Sequence, residues 1–203
     1  MIKIRKASKD DGNVVVNIHE MAFPDFFLTS LGAEFLKLFY TSVMNHKDGV
    51  LLVCENEERV IGFCAGTMLS SGFNKKLIKA NLWAYMMASL KILFTRPMSL
   101  VHLMKNMSKE KSSQGDDGQY AELLSIGVDP TVQRSGGGTA MLKAREEEVK
   151  AKGGKKLSLT TDFNDNEKAI AFYKSLDYEP WYDFMTYPNR RMYRLIKELY
   201  KNV

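Results

Sequence analysis

The sequence predicts a mixed α/β (α+β) fold: a central sheet of about seven strands flanked by helices, with a helical insertion between the third and fourth strands. Three observations predict it. Two apolar runs joined by a short polar turn, "GVLLVCENEERVIGFCAGTML" (49–69), read as a β-hairpin. A strand, a glycine-rich loop, a helix and a second strand follow one another between residues 120 and 162, which makes a βαβ unit and therefore a parallel pair within the sheet. Helical and strand periods alternate along the chain as β-α-α-β-β, insertion, β-α-β-α-β-β. With 203 residues, 45% of them hydrophobic, the chain can bury one sizeable core, so residues 1–203 are read as one domain, with the insertion at about 70–112.

Each element has its own signal. "IKIRKAS" alternates and reads as the first strand; "DDGNVVVNIHEMAF" opens on acidic residues and reads as a helix. "FPDFFLTS" is an aromatic loop around Pro24, and "SLGAEFLKLFYTSVMN" places Phe35, Leu38, Phe39 and Val43 at helical spacing. Residues 72–108 read as one or two helices broken at Pro97, followed by the exposed loop "SKEKSSQGDDGQ". "YAELLSIGVDP" is a strand ended by Asp129-Pro130, and the helix "TAMLKAREEEVKAK" is closed by Gly153 and Gly154. "KKLSLTTD" is a strand, and "NDNEKAIAFYKSLD" is a helix with Asn164 or Asp165 as N-cap. "YEPWYDFMTY" and "RRMYRLIKEL" read as two closing strands.

Composition narrows the class. The N-terminal "MIKIRKASKDDG" has no apolar signal region, and the longest apolar-rich run, "LWAYMMASLKILF" (82–94), is short for a bilayer span and carries Lys91, so a cytoplasmic protein is expected. If Glu57 and Glu58 form the hairpin turn, Cys54 lies opposite Ile61, so a disulfide to Cys64 is not expected. His19, His46 and His102 have no ligand spacing, so no metal is expected, and His19 reads as a surface or packing residue. Between Ser71 and Gln114, eight basic residues stand against Glu110 alone, a local excess of seven in a chain of net charge +5. That excess suggests a negatively charged partner.

The chemistry is concentrated in "VQRSGGGTAML" (132–142). Glycine costs about 1 kcal/mol against alanine inside a helix, yet Gly136, Gly137 and Gly138 sit where one begins. The first N–H groups of a helix lack intrahelical partners, and the dipole places about half a positive charge there. Glycines let a phosphate approach those groups, with Arg134 adding charge and Thr139 a hydroxyl. A Walker loop would need a lysine that "GGGTAM" lacks, and a dinucleotide fingerprint would need glycine at Met141.

The spacing that fits is Gln-x-x-Gly-x-Gly, here Gln133, Gly136 and Gly138, after a strand ending in "VDP". With "NDNEKAIAFYKSLDY", which matches the signature Asn-x-x-Ala-x-x-Phe-Tyr-x-x-x-Gly-Phe at Asn166, Ala169, Phe172 and Tyr173 with Tyr178 at its last position, and with the aromatic loop between two N-terminal helices, the chain resembles the GNAT superfamily of acetyl-CoA-dependent N-acetyltransferases. The likeness covers most of the chain except the insertion. It departs at Gly137, where the family usually has a bulkier residue, and at Asp177, where it usually has glycine.

The resemblance implies a GNAT-type sheet and a set of roles. The pyrophosphate of acetyl-CoA would rest on Gln133, Arg134, Ser135, Gly136, Gly137, Gly138 and Thr139. The acetyl and pantetheine parts would lie along Ile126, Gly127 and Val128, where the strand splays from its parallel neighbour, with Asn166 and Phe172 also at the cofactor. Tyr173 would protonate the departing thiolate or pack on the cofactor. Glu122 stands in a nearly apolar strand; with period 2 it shares a face with Leu124, Ile126 and Val128, which points it to the cofactor side. Three roles are open to it: general base, substrate ligand and structural ion pair. The acceptor would meet Phe23, Asp25, Phe26 and Phe27, or those phenylalanines seal the core, and the stretch from Met185 to Arg190.

The acceptor is expected to be a small-molecule amine; the "FPDFFLTSLG" loop with such an insertion resembles GNAT members associated with bacterial surface-polysaccharide synthesis, and that resemblance implies an amino sugar. Alternatives are an acyl-CoA-binding module without chemistry and a protein N-acetyltransferase. Residues 72–108 mix basic side chains with Leu, Met, Trp83 and Tyr85, which suits a membrane surface, a lipid-linked substrate, the phosphates of an activated sugar, or a plain helical cap, and does not suit nucleic acid. A homodimer is also among the expectations.

Overall fold

A computed structural model describes residues 1–57, 59–108, 115–132 and 135–200. In chain order the elements are β1 (Lys3–Lys6), α1 (Gly12–Ala22), α2 (Phe27–Ser30), α3 (Ala33–Asn45), β2 (Gly49–Glu55), β3 (Val60–Thr67), α4 (Phe73–Ala80), α5 (Leu82–Thr95), α6 (Pro97–Ser108), β4 (Ala121–Val128), α7 (Gly137–Ala151), β5 (Lys156–Asp162), α8 (Glu167–Lys174), β6 (Glu179–Thr186) and β7 (Arg190–Glu198). The seven strands form one sheet in the order β1-β2-β3-β4-β5-β7-β6. Only β4 and β5 pair in parallel, as the βαβ reading requires; the other pairs are antiparallel.

Strand alternation divides the core between the two faces. Leu51, Val53, Phe63 and Ala65 point to one face, where α1 supplies Val15, Val16 and Ile18 and α3 supplies Leu36, Tyr40 and Val43. Leu52, Cys64, Leu123, Leu157 and Leu159 point to the other, under Met141, Leu142 and Val149 of α7 and Tyr173 of α8. Fully burying one such side chain stabilises the fold by about 1.5–3 kcal/mol, so a charge at Leu36 or Leu142 would be expected to unfold it. The entry to α1 is fixed by Asp11, which accepts from the Ser8 N–H (2.6 Å) and from both terminal nitrogens of Arg5 (2.7 and 2.9 Å).

Several expectations need correction. Residues 73–108 form three helices, with a break at Asn81 as well as before Pro97; α4 and α5 meet at 94°. The aromatic loop contains the short helix α2. Asn166, not Asn164 or Asp165, is the N-cap of α8. Cys54 lies opposite Gly62, and Cys64 opposite Leu52, because an irregularity after Cys54 shifts the hairpin register; both cysteines are free and buried. Of the two readings of His19, surface or packing, the packing one holds, since it is fully buried. Residues 109–114, within the expected loop, lie outside the described residues.

Candidate active site

The site is built where β4 and β5 part. Their pairing covers only Ala121–Leu123 against Leu157–Leu159, although β4 continues to Val128 and β5 to Asp162. On its other edge β4 remains paired with β3 as far as Val128. Asp129 donates its N–H to the Ile61 carbonyl of β3 (2.8 Å). Since backbone N–H directions alternate along a strand, those of Ile126 and Val128 point to the opposite edge, which β5 has left. A slot of about 480 Å³ opens there, lined by Ile126, Val128, Gly138, Asn166, Phe172 and Tyr173.

At the head of the slot stands the start of α7. Asp129 orders the approach to it, accepting from the N–H and hydroxyl of Thr131 (2.9 and 2.7 Å) and pairing with Arg59 (2.8 Å). Among the described residues no side chain caps α7, and its first turn leaves the N–H groups of Gly137, Gly138 and Thr139 without intrahelical acceptors. The three glycines have three different reasons to be glycine. Gly136 has φ +83°, a left-handed conformation that side chains resist. A Cβ on Gly137 would stand 3.3 Å from the Cys54 sulfur, closer than ordinary contact, so a side chain there would have to displace it. A Cβ on Gly138 would project toward Phe172 (3.8 Å) and Val128 (3.9 Å), into the slot. Ser135 is exposed and Thr139 half-buried; Gln133 and Arg134 lie outside the described residues.

A second, larger cavity adjoins the slot. A basin of about 950 Å³ shares Phe26, Leu124, Thr160, Arg190 and Met192 with it. Glu122 lies in the basin, and its placement corrects the period-2 reading. Ser125 opposes Ala65 while Leu123 opposes Gly66, so Leu124 is an extra residue in β4, a β-bulge. The bulge reverses the alternation. Ile126 and Val128 join Leu123 on the α7/α8 face, and Glu122 shares the opposite face with Leu124. The carboxylate therefore faces the basin rather than the slot.

Both oxygens of Glu122 are engaged. Arg194 of β7 pairs with Oε1, and the Ser70 hydroxyl donates to Oε2 (2.5 Å). The pair is nearly sealed, with side chains 15% and 14% exposed. Asp116 completes the cluster, accepting from the Tyr120 hydroxyl (2.6 Å), the Gly118 N–H (2.8 Å) and the Tyr182 hydroxyl. Burial alone would raise its carboxyl; the two phenols, the N–H and nearby Arg194 outweigh burial and hold it below the usual carboxylate range. Ser70, Asp116 and Arg194 were missed from the sequence.

The aromatic residues of the α1–α2 connection meet this junction. Phe23 lines the slot, Asp25 and Phe27 the basin, and Phe26 both. Arg190 packs on the Phe26 ring (5.1 Å to the centroid) and pairs with Asp162 at the end of β5. The β6–β7 turn from Met185 to Pro188 forms a further basin wall. From the insertion, Lys105 lies over the Tyr187 ring (4.1 Å), and Arg96 donates to the Ser30 carbonyl (2.9 Å), so the insertion reaches both sides of the basin.

Tyr173 is 9% exposed, and burial pushes its phenol far above the ordinary value, so the hydroxyl keeps its proton. Asn166 is tied to β5 by its amide, which donates to Thr161 Oγ1 (2.6 Å) and the Asp162 carbonyl (3.2 Å). Among the described residues, no group of three His, Cys, Asp or Glu side chains could hold a metal ion. The uncapped α7 turn, the inward-pointing Gly138 position and the unpaired edge of β4 fit a long phosphorylated thioester such as acetyl-CoA.

Comparison with known proteins agrees with this geometry. A sequence profile described as the acetyltransferase (GNAT) family matches residues 13–178. No curated protein matches the chain by sequence. Among solved structures, the ribosomal-protein-S18-alanine N-acetyltransferase of Escherichia coli aligns with TM-score 0.64 at 15% identity, over 100% of this chain and 97% of the other. YncA of Salmonella typhimurium, solved with its cofactor acetyl-CoA, aligns with TM-score 0.62 at 14% identity, over 100% and 96%. PaiA N-acetyltransferase of Thermoplasma acidophilum, in complex with coenzyme A, aligns with TM-score 0.60 at 14% identity, over 98% and 99%. At these identities the likeness establishes the seven-stranded fold.

Proposed function

The chain belongs to the acetyltransferase (GNAT) family, and we propose that it transfers an acetyl group from acetyl-CoA to a primary amine of a small molecule held in the basin, in the cytoplasm. The observation that carries this reading is that slot and basin adjoin at the β4/β5 opening and share lining residues there, with backbone donors in one and an acid–aromatic cluster in the other.

Acetyl-CoA supplies the activated thioester. The N–H groups of Gly137, Gly138 and Thr139 hold its pyrophosphate. The Val128 N–H donates to the carbonyl oxygen as negative charge develops on it, a role of the kind typically worth about 3 kcal/mol. Glu122 attracts the acceptor ammonium and accepts its proton directly or through one water, while Arg194 and Ser70 hold the carboxylate in one orientation. The protonated Tyr173 donates to the departing sulfur.

The insertion favours a small acceptor over a protein. A peptide needs an open groove, and here Lys105 over Tyr187 and Arg96 on Ser30 carry the insertion across both flanks of the basin. The hydroxyls of Tyr120 and Tyr182 and the carboxylates of Asp116 and Glu122 suit a hydroxyl-rich amine, so an amino sugar is the first acceptor class to test.

The test has two steps. Calorimetry with acetyl-CoA should give micromolar binding for the wild type and none for a folded Gly136→Glu/Gly138→Glu variant. Thiol release should then depend on added amine, strongest among amino sugars. Binding without amine-dependent release would identify a non-catalytic acyl-CoA module, and no binding at all would end the reading.

A further inference from the structure

The helix α5 is apolar on two sides, and the protein covers only one of them. Tyr85, Ala88 and Ile92 pack on Leu31 and Phe35 beside α3. On the other side, Trp83, Met87, Leu90 and Phe94 recur at helical spacing i, i+4, i+7, i+11 and stand in solvent, Trp83 75% and Phe94 80% exposed. Leu82, Met86 and Leu93 widen the same stripe, and Met98 at the start of α6 extends it, 66% exposed. A helix apolar all round is normally buried, and soluble monomers rarely show so large a continuous apolar face.

The charge around this face says what covers it. Residues 72–108 hold six basic side chains and no acidic one. Lys91 is paired with Glu34, Arg96 is on the Ser30 carbonyl and Lys105 is over Tyr187. Lys75, Lys76 and Lys79 are exposed on α4, which meets α5 at Asn81. We infer that α5, with the lysines of α4, docks the protein on an anionic lipid membrane, the apolar stripe entering the headgroup boundary and the lysines meeting lipid phosphates.

Three features choose a membrane over other partners. The stripe is a single convex helix side of Trp, Phe, Leu and Met with basic flanks, the composition of an interfacial helix. No single described helix is long and apolar enough to cross a bilayer; α4 and α5 reach that length only as a pair bent by 94°, and the packing of Tyr85, Ala88 and Ile92 on Leu31 and Phe35 holds α5 against the protein, which favours docking over spanning. A second copy would bring the same basic segment against itself, which the charges oppose. The insertion also gives the basin Gly72, Asn74, Met98 and Ser99, so docking sets one wall of the acceptor cavity beside the lipid surface. The inference does not depend on the acceptor assigned above.

Flotation of the 203-residue chain with phosphatidylglycerol-containing and pure phosphatidylcholine vesicles tests it. The wild type should float with the anionic vesicles, less so at high salt. Trp83→Ser/Phe94→Ser and Lys75→Gln/Lys76→Gln/Lys79→Gln should each lower the bound fraction constant by about tenfold or more, with unchanged circular dichroism because every altered side chain is exposed. In a Trp181→Phe background Trp83 is the sole tryptophan, and its emission should shift to the blue on anionic vesicles. Absence of flotation, or flotation that both variants retain, overturns the proposal. So does a concentration-dependent dimer that ignores vesicles and becomes monomeric in the Trp83→Ser/Phe94→Ser variant, since the second copy would then be the occupant.

Discussion

Alanine placed in turn at Gly136, Gly137 and Gly138 should give three different results at three adjacent positions. Gly136 has φ +83° with open space around it, so its methyl meets strain rather than a clash. The left-handed conformation costs an alanine about 1–2 kcal/mol, and Gly136→Ala should be destabilised by about 1 kcal/mol after the gain from a stiffer unfolded chain. At Gly137 the methyl stands 3.3 Å from the Cys54 sulfur, tighter than ordinary contact, and the strain should roughly cancel the helix-propensity gain. At Gly138 the nearest atoms are 3.8 and 3.9 Å away in helical backbone, and alanine should stabilise by about 0.5–1 kcal/mol. In a chain of this length 1 kcal/mol moves Tm by about 2–4 °C. The Gly138 methyl also enters the slot, so the most stable variant should bind acetyl-CoA worst, by about tenfold, or 1.4 kcal/mol. Thermal unfolding and calorimetry on the same preparations read both quantities. Equal stability changes at the three positions, or undiminished binding by Gly138→Ala, would refute the reasoning that each glycine serves a different purpose.

Removing one partner of the Glu122–Arg194 pair should be costly: Arg194→Met leaves a nearly buried carboxylate without its cation, and urea unfolding should show a loss of about 3 kcal/mol. Tyr173→Phe keeps the ring in the core and should leave Tm nearly unchanged while kcat falls by about a hundredfold. Burial lowers the His19 pKa to about 4, so the unfolded chain binds more protons between about pH 6.5 and 4. Stability should therefore be full above that window and decline as pH falls through it, by about 3 kcal/mol in all. His19→Leu should flatten this slope in unfolding measured across the same range. An Asp11 carboxyl held down to about 2, chiefly by Arg5, adds a second acid-labile contribution, lost between about pH 4 and 2, that Arg5→Met should remove.

The glycine loop, the parallel pair and the aromatic connection were legible because each leaves a local mark: glycines before a helix, a strand–helix–strand order, phenylalanines around a proline. The face of Glu122 was not. A bulge adds one residue and leaves no compositional trace, and one extra residue at Leu124 reverses every later side chain. Arg194 could have been suspected, since Arg190, Met192 and Arg194 alternate on one side of a strand, but its partner lies 72 residues earlier. Asp116 sits in "GDDG", which reads as a turn, and only the tyrosines brought from β6 and the start of β4 make it part of a cluster. The break at Asn81 was hidden because helix-forming residues continue on both sides of it.

The strand order places β7 between β5 and β6, although β7 follows both in sequence. Before β7 docks, β5 therefore exposes an open edge, and β6 can join the sheet only through β7. Arg190, Met192 and Arg194 arrive on that same strand. Until β7 docks, Glu122 lacks the Arg194 guanidinium, and the basin lacks the Arg190, Met192 and Arg194 part of its lining. The glycine turn that opens α7 needs no residue of β7, whereas the basin is complete only once β7 is in place.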